Sequence, residues 1–243
     1  MEQPPVLILH GWGGSFASTF AANGWTGALA HAGRTVLDID LPGHGSAPSS
    51  INPEDYSDLA RSVLGRLPNG PIDVVGYSLG AKVALAMALA VPDRIRRLVL
   101  IGIGDNVFAP EAFAAPVIAA LENGVDETTP AAVRGLIEYS KASGSSPTAL
   151  AAVLRRPPNP VLTPMAISRL RPVVQVINGS DDVVALPDIA LRDALGDITY
   201  VLVGRTDHLQ LPRIDAVLQR SIEFINAGDG QDLSSPMKPT QAV

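Results

Sequence analysis

Six short runs of apolar residues punctuate the chain: Val6–His10, Thr35–Ile39, Ile72–Val75, Arg97–Ile101, Val173–Ile177 and Thr199–Val203. Most are continuous rather than alternating, which is the pattern of parallel strands covered on both faces. Between them, apolar positions recur at helical spacing over roughly Ala17–Ala32, Asp55–Leu67, Leu79–Val91, Pro187–Leu195 and Ile214–Asn226. Strand and helix therefore alternate. That alternation predicts an α/β chain with a doubly wound, mostly parallel sheet of about six strands and helices on both faces.

One connection breaks the rhythm. Between Ile101 and Val173 lie about 70 residues with helical patterns near Pro110–Asn123, Pro130–Ala142 and Pro147–Leu154. Prolines at the starts of these runs suit first-turn positions. The segment reads as a small helical cap inserted over the strand ends. The expected organisation is a core over residues 1–103, a helical cap over 104–170, the rest of the core over 171–226, and a disordered tail over 227–243 rich in Gly, Ser, Pro and Gln.

Composition narrows the classes of function. Of 243 residues, 47% are hydrophobic, enough for one domain with a sizeable core. The net charge of −6 is spread out, and no Lys/Arg cluster suggests nucleic acid or an anionic membrane surface as a partner. There is no cysteine, which removes disulfides, thiolate metal sites and a cysteine nucleophile. The start, Met1-Glu2-Gln3-Pro4-Pro5, carries no basic region followed by an apolar one, and no apolar run reaches membrane-spanning length. The expectation is a cytoplasmic protein.

The chemistry enters at Gly76-Tyr77-Ser78-Leu79-Gly80, between the Ile72–Val75 strand and the Ala-rich helix that follows. A serine on a sharp strand-to-helix turn has its hydroxyl held above the sheet end, with the helix N-terminus beneath it favouring negative charge. The flanking glycines are needed where a side chain would strike the neighbouring strand or helix. The plainer alternative is a serine that merely caps the helix.

Other strand ends supply what a nucleophilic serine requires, a base and a carboxylate to orient it. After the first strand comes His10-Gly11-Trp12-Gly13-Gly14, a turn able to present backbone N–H groups to an oxyanion. The candidates are the N–H of Trp12 and that of Leu79. After the fifth strand come Asp181 and Asp182, and after the sixth comes Asp207-His208. Of the four histidines, His10 belongs to the glycine turn, His31 to a helix end, and His44 to the loop after the second strand. His208 is thus the expected base. Asp182 is favoured as the acid, with Asp181 and, more remotely, Asp105 as alternatives. Trp12 and Tyr77 adjoin the catalytic elements and are expected to contact substrate. Phe108, Phe113, Val117, Leu121, Leu136, Tyr139, Leu150 and Leu154 either line an acyl pocket or form the core of the cap.

These pieces resemble the α/β-hydrolase superfamily: Leu7-Ile8-Leu9-His10-Gly11-Trp12-Gly13, Asp40-Leu41-Pro42-Gly43-His44-Gly45-Ser46, the Ser78 pentapeptide, Gly179-Ser180-Asp181-Asp182 and Asp207-His208. The resemblance extends more weakly to small bacterial carboxylesterases, a group that includes the pimeloyl-acyl-carrier-protein methyl ester esterases. It implies Asp182 as the acid through the Gly-x-x-Asp spacing. It also implies hydrolysis of a small-molecule ester of small to medium acyl chain through an acyl-enzyme, with no cofactor and no metal. Thioester cleavage, perhydrolysis and carbon–carbon bond hydrolysis use the same triad, and a non-catalytic binding protein is the alternative from another class. Arg155-Arg156, with Arg134, either meet an acidic acyl carrier protein or, the stronger alternative, form a solvated face that complements the helix dipole. The family's usual leading hairpin has no room before Val6, so Thr35–Ile39 is expected at an exposed sheet edge.

Overall fold

The computed structural model describes residues 3–109, 112–157 and 162–227. Six strands, β1 (Val6–Leu9), β2 (Val36–Asp38), β3 (Ile72–Tyr77), β4 (Ile95–Ile101), β5 (Val173–Gly179) and β6 (Thr199–Val203), form one sheet in the order β2-β1-β3-β4-β5-β6. Every pairing is parallel, and β2 is an edge as expected.

Continuous apolar runs are what a two-sided sheet requires, because successive side chains leave on opposite faces. Leu7, Leu9, Val74, Leu98, Leu100 and Val176 point into one core, beneath α3 (Leu59–Leu64) and α4 (Leu79–Ala90). Val6, Ile8, Val75, Val99, Ile101 and Ile177 point into the other, against α2 (Trp25–His31) and α10 (Asp215–Asn226). The helix α4 is made almost wholly of Ala, Leu, Val and Met and is buried along most of its length. A helix apolar all round belongs in the interior.

The strand order reverses between β1 and β3, since β2 lies on one side of β1 and all later strands on the other. Ligands of open α/β sheets bind at the carboxyl ends of the strands at such a reversal. Leu9 pairs with Gly76, so β1 and β3 end level with one another. The two loops that leave them, at residues 10–14 and 78–79, are therefore neighbours.

Several helices differ from the periodicity reading. The expected helix over Ala17–Ala32 is broken into α1 (Phe16–Thr19), a 3-10 turn at Ala21–Asn23, and α2. Gly24 between them has φ +80°, a left-handed conformation that stops a right-handed helix. The Asp55–Leu67 stretch divides likewise into a 3-10 turn at Pro53–Tyr56 and α3, because the Asp58 side chain accepts the Arg61 N–H and starts a new helix. Between β4 and β5 run α5 (Ala114–Asn123), α6 (Ala131–Lys141), α7 (Pro147–Arg155) and an unforeseen fourth, α8 (Pro164–Ile167), capped by Thr163. Pro147 takes the first turn of α7, whereas Pro130 is the residue before α6. Pro110 and the tail beyond Ala227 lie outside the described residues. After β5, α9 (Ile189–Leu195) starts beyond Pro187.

The end of the sheet away from the loops is closed by a buried ionic cluster. Asp73 of β3 pairs with Arg34 and accepts bonds from Arg96 Nε at 3.0 Å and Nη2 at 2.7 Å. Arg34 also reaches the Ile225 carbonyl, which ties the end of α10 to the sheet. Among the described residues no helix is long and apolar enough to cross a membrane.

Candidate active site

Ser78 stands between β3 and α4 with φ 54° and ψ −114°, a conformation rarely taken by a residue with a side chain. Its neighbours explain how the turn closes so tightly. A Cβ on Gly76 would lie 2.6 Å from the Gly80 carbonyl oxygen, and one on Gly80 would lie 2.1 Å from that of Leu9. Helix and strands thus touch backbone to backbone, and the serine is thrust to the apex. Its side chain makes no cap hydrogen bond, so the helix-capping alternative does not hold.

The Ser78 hydroxyl instead lies 2.9 Å from Nε2 of His208. Nδ1 of His208 lies 2.8 Å from Oδ2 of Asp182. The other oxygen of Asp182 accepts the N–H groups of Val184 at 3.0 Å and Ala185 at 2.8 Å, so this fully buried carboxylate is fixed from both sides. A carboxylate accepting from Nδ1–H leaves the Nε2 lone pair facing the serine hydroxyl. Three residues from three strand ends thus form one hydrogen-bonded chain. Asp181 is exposed and accepts from the Ser180 hydroxyl, Asp105 accepts the Leu191 N–H, and Asp207 accepts the Gln210 N–H.

The other histidines are placed elsewhere. His31 is exposed. His10 is fully buried, with Nδ1 against the Gly11 carbonyl at 2.8 Å and Nε2 accepting the Leu41 N–H at 3.0 Å. Burial lowers its pKa, only partly opposed by the Gly11 carbonyl and Asp40. His44 packs beside it at 5.2 Å between ring centroids, and burial, followed by the proximity of His10, brings its pKa down to about 3. Both therefore sit neutral behind the glycine turn.

That turn abuts the serine. A Cβ on Gly11 would fall 3.2 Å from the Cβ of Ser78. Trp12 and Leu79 both border the cavity beside Ser78, and among the described residues neither backbone N–H is engaged in an intramolecular hydrogen bond. Tyr77 borders the same cavity and does something the sequence does not reveal. Its hydroxyl donates to the backbone carbonyl of His208 at 2.9 Å, and its ring lies 5.2 Å from the imidazole. Burial raises the pKa of this phenol well above its ordinary value, so it stays a donor.

The cavity has a volume of about 370 Å³. Phe113, Val117, Leu136, Tyr139 and Leu154 line it. Phe108, Leu121 and Leu150 pack into the core. Val183, Val184, Leu186, Pro187 and Leu209 also line the cavity and are not foreseen from the sequence, nor is Lys82. The spacing from Ser78 to Lys82 is one helical turn, which is a usable signal. Of the arginines suggested for a carrier protein, Arg155 pairs with Glu122 at 2.5 Å, and Arg134 donates to the Thr129 carbonyl at 2.5 Å. Among the described residues no cluster of His, Asp or Glu could hold a metal ion.

Known proteins resemble this chain in sequence and in fold. The chain is 38% identical over 120 residues to the pimeloyl-[acyl-carrier protein] methyl ester esterase of Aromatoleum aromaticum, a match covering 48% of this chain and 44% of that protein. It is 32% identical over 123 residues to the sn-1-specific diacylglycerol lipase ABHD11 of Mus musculus, covering 49% and 39% respectively. The matched part thus spans less than half the length of these curated relatives. In three dimensions it resembles NosK from Streptomyces actuosus with a TM-score of 0.68 and 26% identity, over 92% of this chain and 97% of that one. The profile of the alpha/beta hydrolase fold matches residues 4–209, and the chain belongs to that family.

Proposed function

We propose that this chain is a carboxylesterase-type serine hydrolase that cleaves esters of small to medium acyl chain through an acyl-enzyme. The observation that carries the reading is the unbroken hydrogen-bonded chain from Ser78 through His208 to Asp182 at the floor of an apolar cavity. In this reading residues 104–170 serve as the cap, and five of their side chains form the acyl wall.

The geometry supports the following steps. Oγ of Ser78 attacks the ester carbonyl carbon while its proton passes to Nε2 of His208. Asp182 stabilises the imidazolium that results and keeps the ring aimed. The carbonyl oxygen gains negative charge between the N–H groups of Trp12 and Leu79, the second of which is the first residue of α4 and lies at its positive end. Collapse expels the alcohol, which takes the proton from Nε2. A water molecule then enters, gives its proton to Nε2 and attacks the acyl carbon. Release of the acid returns the proton to Ser78. Every proton moves through one nitrogen, which is why the tautomer matters.

The reading is supported by the ester-hydrolysing activities that the curated relatives are named for. A series of p-nitrophenyl esters from acetate to palmitate tests it. The cavity is expected to give the highest kcat/KM with short and medium chains and a steep fall for the longest. A matching thioester cleaved much faster than the best oxyester would overturn the ester preference.

A further inference from the structure

The glycine turn that offers the Trp12 N–H does not stand on the sheet alone. Two of its residues have almost no free space around them, and the neighbours come from the helices between β4 and β5. A Cβ on Gly13 would lie 2.9 Å from Cβ of Ser140 in α6. One on Gly14 would lie 2.3 Å from the hydroxyl oxygen of Tyr139 and 2.5 Å from Oγ1 of Thr19. Those two hydroxyls are themselves hydrogen-bonded at 2.6 Å, across the top of Gly14. Thr19 is the last residue of α1 and is buried, with its own N–H held by the Ser15 carbonyl at 2.9 Å. Burial pushes the Tyr139 phenol up to about 12, so it remains protonated in ordinary buffers. The indole of Trp12 is tied to the same helices, donating to the Leu150 carbonyl of α7 at 3.1 Å.

We infer that Tyr139 and Thr19 are positioning residues for ester cleavage: their mutual hydrogen bond holds the Gly13–Gly14 backbone and so sets the aim of the Trp12 N–H at the carbonyl oxygen as that oxygen gains charge. The helices between β4 and β5 then do more than wall the acyl cavity; through this bond they form part of the oxyanion hole's support. The inference rests on the serine hydrolase reading above. A hydrogen-bond donor to a developing oxyanion counts mainly in the transition state, and small misplacements there are costly. The two residues differ usefully. Tyr139 borders the cavity, whereas Thr19 does not. An effect of Thr19 on turnover therefore cannot come from a lost substrate contact.

The test is steady-state hydrolysis of p-nitrophenyl butyrate by Thr19→Val, Thr19→Ser, Tyr139→Phe and the Thr19→Val/Tyr139→Phe double variant. Thr19→Val and Tyr139→Phe are each expected to lower kcat roughly ten- to a hundredfold while KM stays within about twofold. The double variant should be no worse than either single one, because one shared bond is lost. Thr19→Ser, which keeps the hydroxyl, should retain wild-type kcat. Inhibition by butylboronic acid, which mimics the tetrahedral adduct on Ser78, should weaken by the same factor as kcat/KM. Unchanged kcat in both Thr19→Val and Tyr139→Phe, or a rise in KM at constant kcat, would overturn the inference. If Thr19→Val does not fold, kcat and boronate affinity of Tyr139→Phe decide the matter alone: both fall if the bond aims the Trp12 N–H, and neither falls if it does not. Ser78→Ala measured alongside separates the two levels: turnover surviving there sinks the hydrolase reading itself.

Discussion

Replacing Ser78 with Ala is expected to lower kcat on p-nitrophenyl butyrate by at least about four orders of magnitude, leaving only what the oxyanion hole and binding supply. The fold should persist. Ser78 occupies a left-handed conformation that costs of order 1–3 kcal/mol, and alanine inherits the same strain, with no cap bond to lose. Thermal unfolding of the variant should therefore stay close to that of the parent. A folded Ser78→Ala protein with undiminished turnover would mean that another group attacks the ester.

The second large effect concerns the acid. Asp182→Asn should reduce kcat about 10⁴-fold, because an amide can donate to Nδ1 and so turn the proton of His208 toward Ser78, the wrong tautomer for a base. Two backbone N–H groups, of Val184 and Ala185, would still hold the side chain at one oxygen, so the geometry would change little. Asp181→Asn should leave kcat within about twofold, as an exposed surface change. The residue is exposed, and its carboxylate accepts the Ser180 hydroxyl. The two variants differ by one position and by a predicted three to four orders of magnitude, which makes the comparison sharp. Steady-state kinetics with circular dichroism as the fold control measures both.

The sheet and the catalytic candidates were legible in the sequence for physical reasons. A strand buried on both faces has to be apolar at every position, so Val6–Leu9, Val74–Val75 and Leu98–Ile101 declare themselves. The Ser78 turn needs glycine at positions 76 and 80 because backbones touch there, and glycine is visible in a sequence. What stayed hidden depends on direction and distance. Gly24 breaks one helix by adopting a left-handed conformation, whereas Gly27 lies within α2 without breaking it. Composition does not distinguish the two. The helical spacing of Phe113, Leu136 and Leu150 shows that each has an inner face, but not that the first two meet the cavity while Leu150 turns its carbonyl to the Trp12 indole. The bond from the Tyr77 hydroxyl to the His208 carbonyl joins residues 131 positions apart. No local pattern encodes such a contact.

Covalent capture tests the central claim most directly. Purified protein incubated with a fluorophosphonate is expected to gain the mass of one phosphonyl group, to lose esterase activity in step with that gain, and to carry the group on the tryptic peptide containing Ser78. The Asp182→Asn variant should label far more slowly, since its histidine no longer accepts the serine proton. Labelling at another residue, or folded protein that stays unlabelled while still hydrolysing p-nitrophenyl butyrate, would contradict a mechanism centred on Ser78.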